Sequence, residues 1–350
     1  ARFILADLQA KQGEVELARR NYARLIEVAP DLPVPRTALA ELDLKQGNDH
    51  LAAQNFAWRF GSTPEELPAH LTMMAPTDRP KSWSGGQVRR RRLFLRAERT
   101  PLEQLVFAPW LKAIQADSRT ILAECDGFTL PLLQSAFPDI NFKATGTAVP
   151  ADLVAARCQL AASLGDLAMV YDLPARTGWL PYDKAGAAAR RSGYLGAAGG
   201  KLIGLSWHVA DTPCHGLEPF APLLEIPGIR WVALPVGPRS QHLTNFIASL
   251  GEAVVYDDAV DGHHDLAAFR DQLAPLDLLI ASDDLSAMLA EAVNRPVWKI
   301  VSGNSHWSWR ADGASSKWHP VVRLFRNSVG QKETIEALRA ALAKEAGFAL

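Results

Sequence analysis

"LDLLIASDDLSAMLAEAVNRPV", residues 276–297, is the stretch that decides the fold. An apolar run from Leu276 to Ala281 reaches Ser282 and turns at once into a helical pattern. Leu285, Met288, Leu289 and Ala292 fall at i, i+3, i+4 and i+7, one face of a helix. Pro296 stops that helix, and a second apolar run begins at Val297. Strand, helix, strand is the unit that builds a parallel sheet. A helix that follows a strand usually offers its first N–H groups to an anion. Here two carboxylates, Asp283 and Asp284, stand at that start. They read as caps that repel a diphosphate, or Asp283 as an acceptor for ribose or sugar hydroxyls. Met288 reads as packing.

The same alternation extends outward. Strands are expected at 92–97, 120–125, 140–145 and 167–172, with helices near 102–115, 128–136 and 151–164. A second series of strands is expected at 201–207, 229–235, 252–258, 276–282, 297–302 and 322–327, with helices near 217–226, 241–250, 265–274, 284–293 and 332–346. This gives two Rossmann-like α/β halves, 92–185 and 186–350, with the glycine-rich stretch 173–200 as a hinge. Residues 69–91, with Pro, Gly, Ser and the run Arg89 to Arg92, read as a linker. The arginines read as a solvated lead-in to a strand or as phosphate contacts.

Residues 1–68 repeat themselves. Ala6, Gly13, Ala18, Tyr22 and Pro30 recur as Ala40, Gly47, Ala52, Phe56 and Pro64, an offset of 34 at every position (6 to 40, 13 to 47). That is the tetratricopeptide period. Small residues let two antiparallel helices approach, and the aromatic fills the gap. Such arrays bind protein segments, and two repeats are few for a stable stack, so further repeats are expected upstream of Ala1.

Composition narrows the class. The 350 residues carry a formal net charge of −1 and are 48% hydrophobic. Near-neutral charge argues against a general nucleic-acid binder. Cys125, Cys158 and Cys214 are scattered, so neither a zinc knuckle nor a disulfide framework is expected. No apolar run is long enough to span a membrane. A reducing, cytoplasmic setting follows.

In a two-sheet protein a ligand is expected at the carboxyl ends of the strands. In the second half these ends carry Ser206, Trp207 and His208; Gly237 and Pro238; Asp257 and Asp258; Ser282, Asp283 and Asp284; and Ser302, Gly303 and Asn304. The loop "SHWSWRADGASSKWHP", 305–320, adds Trp307, Trp309, Arg310, Lys317, Trp318 and His319. Tryptophan faces can stack on a base or sugar, and Arg310 can pair with phosphate. The alternative is that the tryptophans plug a domain interface and the histidines are structural.

The order of repeats, two halves, "LDLLIASDDLSAMLAEAVNRPVW" and "HWSWRADGASSKWHPVVRLFR" resembles bacterial tetratricopeptide-repeat glycosyltransferases, which are similar to the heptosyltransferase and O-GlcNAc-transferase groups and have the GT-B fold. Gly204, Leu205, Ser206, Trp207 and "WVALPVGP" fit that pattern. The resemblance implies a sugar nucleotide held by Trp207, His208, Gly237, Asp283, Trp307, Trp309, Arg310, Lys317 and His319. It implies no cofactor and no metal. It also implies an acceptor, a bacterial surface or flagellar protein docked by the repeats, and a carboxylate base in the first half at Glu103 or Glu98. The chain departs from the family at three points. Asp284 stands where Thr is usual, Met288 stands where His is usual, and "AERTPLEQLVF", 97–107, lacks the family's glycines. Those departures support the alternative, a non-catalytic interaction protein with a degenerate body. A nucleotide-sugar epimerase also has two such halves but gives the repeats no place.

Overall fold

The computed structural model describes every residue except 62–65, 84, 148–149, 197–198, 209–215, 238–239, 263, 304, 328–330 and 347–350. Cys214, Pro64, Pro238 and Asn304 lie outside the described residues. The chain divides into two compact units, Ala1–Ala175 and Arg176–Leu350.

The first unit opens with four helices, α1 (Arg2–Lys11), α2 (Val15–Val28), α3 (Pro33–Lys45) and α4 (Asp49–Phe56). The repeated small residues Ala6, Ala18, Ala40 and Ala52 are all fully buried, and Tyr22 and Phe56 fill the space between helices. Gly13 and Gly47 follow α1 and α3 with φ of +81° and +84°. A left-handed residue at these turns ends each first helix, and glycine takes it without strain.

After α5 (Ala69–Thr72) comes a five-stranded parallel sheet of order β1-β5-β2-β3-β4. Its strands are β1 (Lys81–Ser82), β2 (Arg92–Arg96), β3 (Thr120–Cys125), β4 (Asn141–Ala144) and β5 (Leu160–Ser163). Helices α6 (Pro101–Phe107), α7 (Leu111–Asp117), α8 (Leu130–Ala136), α9 (Pro150–Ala156) and α10 (Leu164–Ala168) connect and flank them. Two expectations change. The segment read as linker supplies the edge strand β1, with Lys81 opposite Leu160. The strand expected at 167–172 lies at Leu160–Ser163 instead. Ser163 caps α10 by accepting the Asp166 N–H, so the chain leaves the sheet nine residues early, at 163 against the expected 172.

The second unit begins with α11 (Lys184–Leu195), a helix inside the stretch expected to be a hinge. Its six strands are β6 (Lys201–His208), β7 (Ile229–Val236), β8 (Val254–Val255), β9 (Leu278–Ala281), β10 (Val297–Val301) and β11 (Val322–Arg326). They form a parallel sheet of order β11-β10-β9-β6-β7-β8. Helices α12 (Ala221–Leu224), α13 (Gln241–Ser249), α14 (Leu266–Leu273), α15 (Asp284–Ala292) and α16 (Gln331–Ala346) complete it. Gly204 lies where a Cβ would come within 2.6 Å of Leu276 and 3.0 Å of Leu234. Any side chain there would push neighbouring strands apart.

The second sheet has the doubly wound order, in which the chain starts centrally at β6, runs to the β8 edge and returns through β9 to the β11 edge; in the first sheet β2 to β4 run to one edge and β5 returns on the other side of β2, beside the edge strand β1. The reversal opens a crevice beyond the strand ends. In the first unit it lies between β2 and β5, and in the second between β6 and β9.

Candidate functional site

In the second unit the crevice is built by Ser206 on β6 and by Asp283 and Asp284 at the start of α15. Asp283 is 2% exposed and fully engaged. One oxygen accepts the Ser286 N–H at 2.7 Å as the helix cap, and the other accepts the Ser206 hydroxyl. Ser206 also meets the Ser286 hydroxyl at 3.0 Å. Asp283 is therefore a cap, with both oxygens engaged inside the unit. Asp284 is engaged as well. Its Oδ2 accepts the His306 backbone N–H at 3.1 Å, and its Oδ1 pairs with Lys299 at 3.2 Å.

Lys299, on β10, is wholly buried and was not singled out in the sequence. Its ammonium also donates to the Ser282 and Ile300 carbonyls at 2.8 and 2.7 Å. Burial pushes its pKa down, and the two aspartates oppose that. It offsets one of the two negative charges at the helix start. Met288 is buried as expected, but so is every residue from Ser286 to Ala292. The helix is covered on all sides, and Glu291 is inside.

The tryptophan-rich loop folds inward. Trp207 and Trp309 are 1% and 0% exposed, and Trp307 and Trp318 are also buried. Trp207 belongs to the apolar core of the sheet. Trp307 meets Trp318 edge-on at 5.2 Å, and Trp309 stacks on His319 at 3.9 Å. In this structure these rings are core, with no face offered to a base. Arg310 is buried with φ +62°, its guanidinium 5.9 Å from the Trp318 ring. Lys317 is exposed beside the same ring. Arg326 staples the loop by donating to the carbonyls of Trp309, Arg310, Asp312 and Gly313. His208 is exposed at the end of β6, and Gly237 ends β7 with φ +136°.

His319 is fully buried. It sits 2.5 Å from Glu291 through Nδ1 and 3.0 Å from the Ser308 hydroxyl through Nε2. The same hydroxyl is 2.9 Å from His306 Nδ1. Burial pushes the His319 pKa down against the pull of Glu291, and both ring nitrogens are engaged inside the unit.

In the first unit the crevice is filled. Arg59, just after α4, enters it with its side chain wholly buried. Its guanidinium donates to both Glu98 oxygens at 2.9 and 3.0 Å, to Asp166 at 2.5 Å, to Ser163 at 2.6 Å and to the Phe56 carbonyl at 3.0 Å. Glu98 also accepts the Gly165 N–H at 2.7 Å. Glu98 is thus a buried counter-ion. Burial raises its pKa and Arg59 opposes that. Glu103 is 2% exposed and held by Arg99 at 2.6 Å, which also reaches Glu41 at 2.5 Å. Neither carboxylate stands open to an acceptor.

The two cavities beside Arg96 measure about 30 and 20 Å³, space for a water and not a sugar. A larger groove of about 550 Å³ in the second unit lies among Glu218, Pro219, Pro222, Gln331, Ile335 and Arg339. It includes none of the expected site residues. Among the described residues no group of three His, Cys, Asp or Glu side chains is gathered as a metal site, and no helix is long and apolar enough to cross a membrane.

No family model matches the chain. It is similar to Protein FlbA of Caulobacter vibrioides, 25% identical over 267 residues, which is 69% of this chain and 44% of that protein. The chain thus spans less than half the length of that curated relative. Solved structures that resemble it include the glycosyl transferase family 9 protein from Veillonella parvula, with a TM-score of 0.48, 10% identity and coverage of 75% of this chain and 100% of that one. The E. coli ADP-heptose heptosyltransferase II gives 0.46 and 11%, covering 73% and 99%. An O-GlcNAc transferase from Thermobaculum terrenum gives 0.35 and 12%, covering 97% and 75%. All three scores lie below 0.5, so the fold assignment rests on the two sheet orders themselves.

Proposed function

We propose that the chain is a glycosyltransferase of the GT-B kind that takes a sugar nucleotide at the β6–β9 crevice. The observation that carries this is the doubly wound order of the second sheet, which sets Ser206, Asp283 and Asp284 at the switch point, where such sheets receive nucleotides. Lys299 lowers the negative charge there, and Arg310 and Lys317 belong to the adjacent loop. The helical hairpins of 1–56 are tetratricopeptide repeats and engage a protein acceptor, bacterial surface or flagellar. Calorimetry with uridine, guanosine and cytidine diphosphates tests the donor site, with binding of one of them at millimolar concentration or tighter as the expected result. Silence across the panel sinks the reading.

A second reading is favoured by the first unit. Both carboxylates that resemble the family's base are locked in buried ion pairs, as an interaction protein that has lost its chemistry would have them. On this reading the chain binds its protein partner through 1–56 and transfers no radiolabelled sugar from any nucleotide donor.

A further inference from the structure

The amino-terminal edge of the first sheet is used by neither reading above. The sequence sets four arginines there in a run, Arg89 to Arg92, and folding adds to them. Four adjacent strands, β1, β5, β2 and β3, begin on this edge. Arg119, just before β3, donates its backbone N–H to the Arg91 carbonyl at 2.8 Å. Arg157 lies on the other side of β2, two residues before Gln159, whose N–H bonds the Arg92 carbonyl at 2.7 Å. Lys81 opens β1 opposite Leu160. At about 4.8 Å per strand these cations spread over about 15 Å of edge. All but Arg92 are exposed. Among the described residues none of their side chains has a hydrogen-bond or ion-pair partner. Carboxylates nearby are fewer. Asp117 accepts the Arg89 backbone N–H at 3.1 Å and the Tyr171 hydroxyl, and Asp139 and Asp172 are exposed on neighbouring turns. A chain of net charge −1 thus gathers seven cations on one edge.

The backbone gives a second, independent observation. Arg89, Arg90 and Arg157 have φ of +21°, +54° and +50°. Five described non-glycine residues have positive φ, and three of them stand on this edge. That region is costly for a long side chain and easy for glycine or asparagine. Arginine is the poorer choice for these turns unless its guanidinium has a use outside the fold. The edge also has an aliphatic border. Val154, whose carbonyl accepts the Arg157 N–H at 3.0 Å, is 48% exposed. Val170 and Leu173 are 40% and 43% exposed, and Tyr171 between them bonds the Val88 N–H and Asp117. Cations flanked by exposed aliphatic side chains suit a bilayer surface, where headgroup phosphates meet the first and the acyl boundary meets the second. A free polyanion gains nothing from the aliphatic border.

We propose that this edge docks the chain on a membrane surface that carries anionic phospholipids. The guanidinium groups pair with headgroup phosphates, and Val154, Val170 and Leu173 meet the acyl boundary beside them. The contact is peripheral and reversible and needs no membrane-spanning helix. The docking edge is opposite the strand ends that form the first unit's crevice, so that crevice faces away from the lipid.

Flotation of the full chain with phosphatidylcholine vesicles, with and without phosphatidylglycerol, tests this. The chain should float only with the anionic vesicles and be released as salt rises from about 0.1 M to about 0.5 M. Arg89→Asn, Arg90→Asn and Arg157→Asn together should weaken binding by at least about tenfold, at roughly fivefold per charge near such a surface. The melting temperature of that variant should hold or rise, because asparagine relieves the turns. A fall in melting temperature would make the arginines structural and overturn the strain argument. Arg91→Glu with Arg119→Glu, which leaves those turns alone, should abolish flotation. Val154→Ser with Leu173→Ser should weaken binding to vesicles and leave any binding to soluble inorganic polyphosphate unchanged. Equal loss toward both, or tighter binding to polyuridylate RNA than to anionic vesicles, overturns the lipid as occupant. No flotation of the unmodified chain at low salt, or unchanged flotation of both charge variants, overturns the docking edge. The donor site is read separately, by diphosphate binding, and stands or falls apart from these results.

Discussion

Replacing Arg59 with Ala should unfold the first unit far more readily than any surface change. The side chain is wholly buried, and Glu98 beside it is 1% exposed. Arg59 makes five hydrogen bonds, three of them to carboxylates. Its guanidinium also lies 4.1 Å from the Phe56 ring and 4.3 Å from Phe60. Its removal strands the buried Glu98 without its counter-ion, and breaking one side of a buried pair costs about 3–5 kcal/mol. For a unit of the size of Ala1–Ala175, each kcal/mol lowers Tm by roughly 2–4 °C, so a loss of about 6–20 °C is expected. The sign with pH follows from Glu98. Without Arg59 the burial that raises its pKa remains, joined by the charges of Asp166 and Glu103 that also raise it, so the folded variant favours a proton that the unfolded chain releases. The deficit should therefore grow as pH rises above the ordinary carboxylate range and shrink toward pH 5. Urea titrations at pH 5 and pH 7, with hydrogen exchange at the β2 and β5 amides, read this out. Arg59→Met with Glu98→Gln should recover much of the loss, because the wholly buried charge is gone and Asp166, left without Arg59, is partly exposed. A cost under about 1 kcal/mol, typical of exposed pairs, would refute the claim that Arg59 fills the crevice.

Three further outcomes follow from particular contacts. Gly165→Ala places a Cβ 2.9 Å from both Arg59 Nη2 and Phe107 and 3.1 Å from Glu98, so overpacking should cost about 1–3 kcal/mol, and an unchanged melting temperature would show that the cluster is loose. Phe56→Ala removes a ring that is 1% exposed and packed on Phe107 at 5.9 Å; about 3–5 kcal/mol is expected, read as a fall in urea midpoint. His319 has a depressed folded pKa through burial, so only the unfolded chain takes up its proton as pH falls below about 6.5. Stability should drop in that window, by at most about 1.4 kcal/mol per pH unit, and His319→Gln should flatten the slope; an identical slope in the variant would show that His319 is already charged.

The sequence by itself determined the elements whose signal is local. The five paired positions at one offset marked the helical hairpins, since close helix packing requires Ala at Ala6, Ala18, Ala40 and Ala52 whatever surrounds them. The runs at 120–125 and 201–207 are buried on both faces of a parallel sheet, and such strands are apolar throughout. The capping role of Asp283 was equally local, because the side chain and the N–H it accepts lie three residues apart. Where two readings were locally equal, the sequence failed. Residues 158–170 are apolar nearly throughout, and only the cap from Ser163 to the Asp166 N–H shows that the strand is the earlier part. Val254–Val255 is likewise shorter than the apolar run around it.

Tertiary structure alone decided the fate of the charged and aromatic side chains. Trp207 and Trp309 read as stacking platforms because they are aromatic and near strand ends, yet both are core. Glu98 read as a base, and Arg59, 39 residues earlier, makes it a counter-ion. Lys299 sits in an ordinary strand pattern, and its partner Asp284 opens α15, just after the neighbouring strand β9. His306, Ser308, Glu291 and His319 form one chain of hydrogen bonds from two separate segments. The physical reason is common to all of these. Periodicity, capping and turn chemistry act over a few residues, whereas the state of a buried ionisable group depends on which opposite charge or donor is brought within about 3 Å of it, and that partner is chosen by the sheet order.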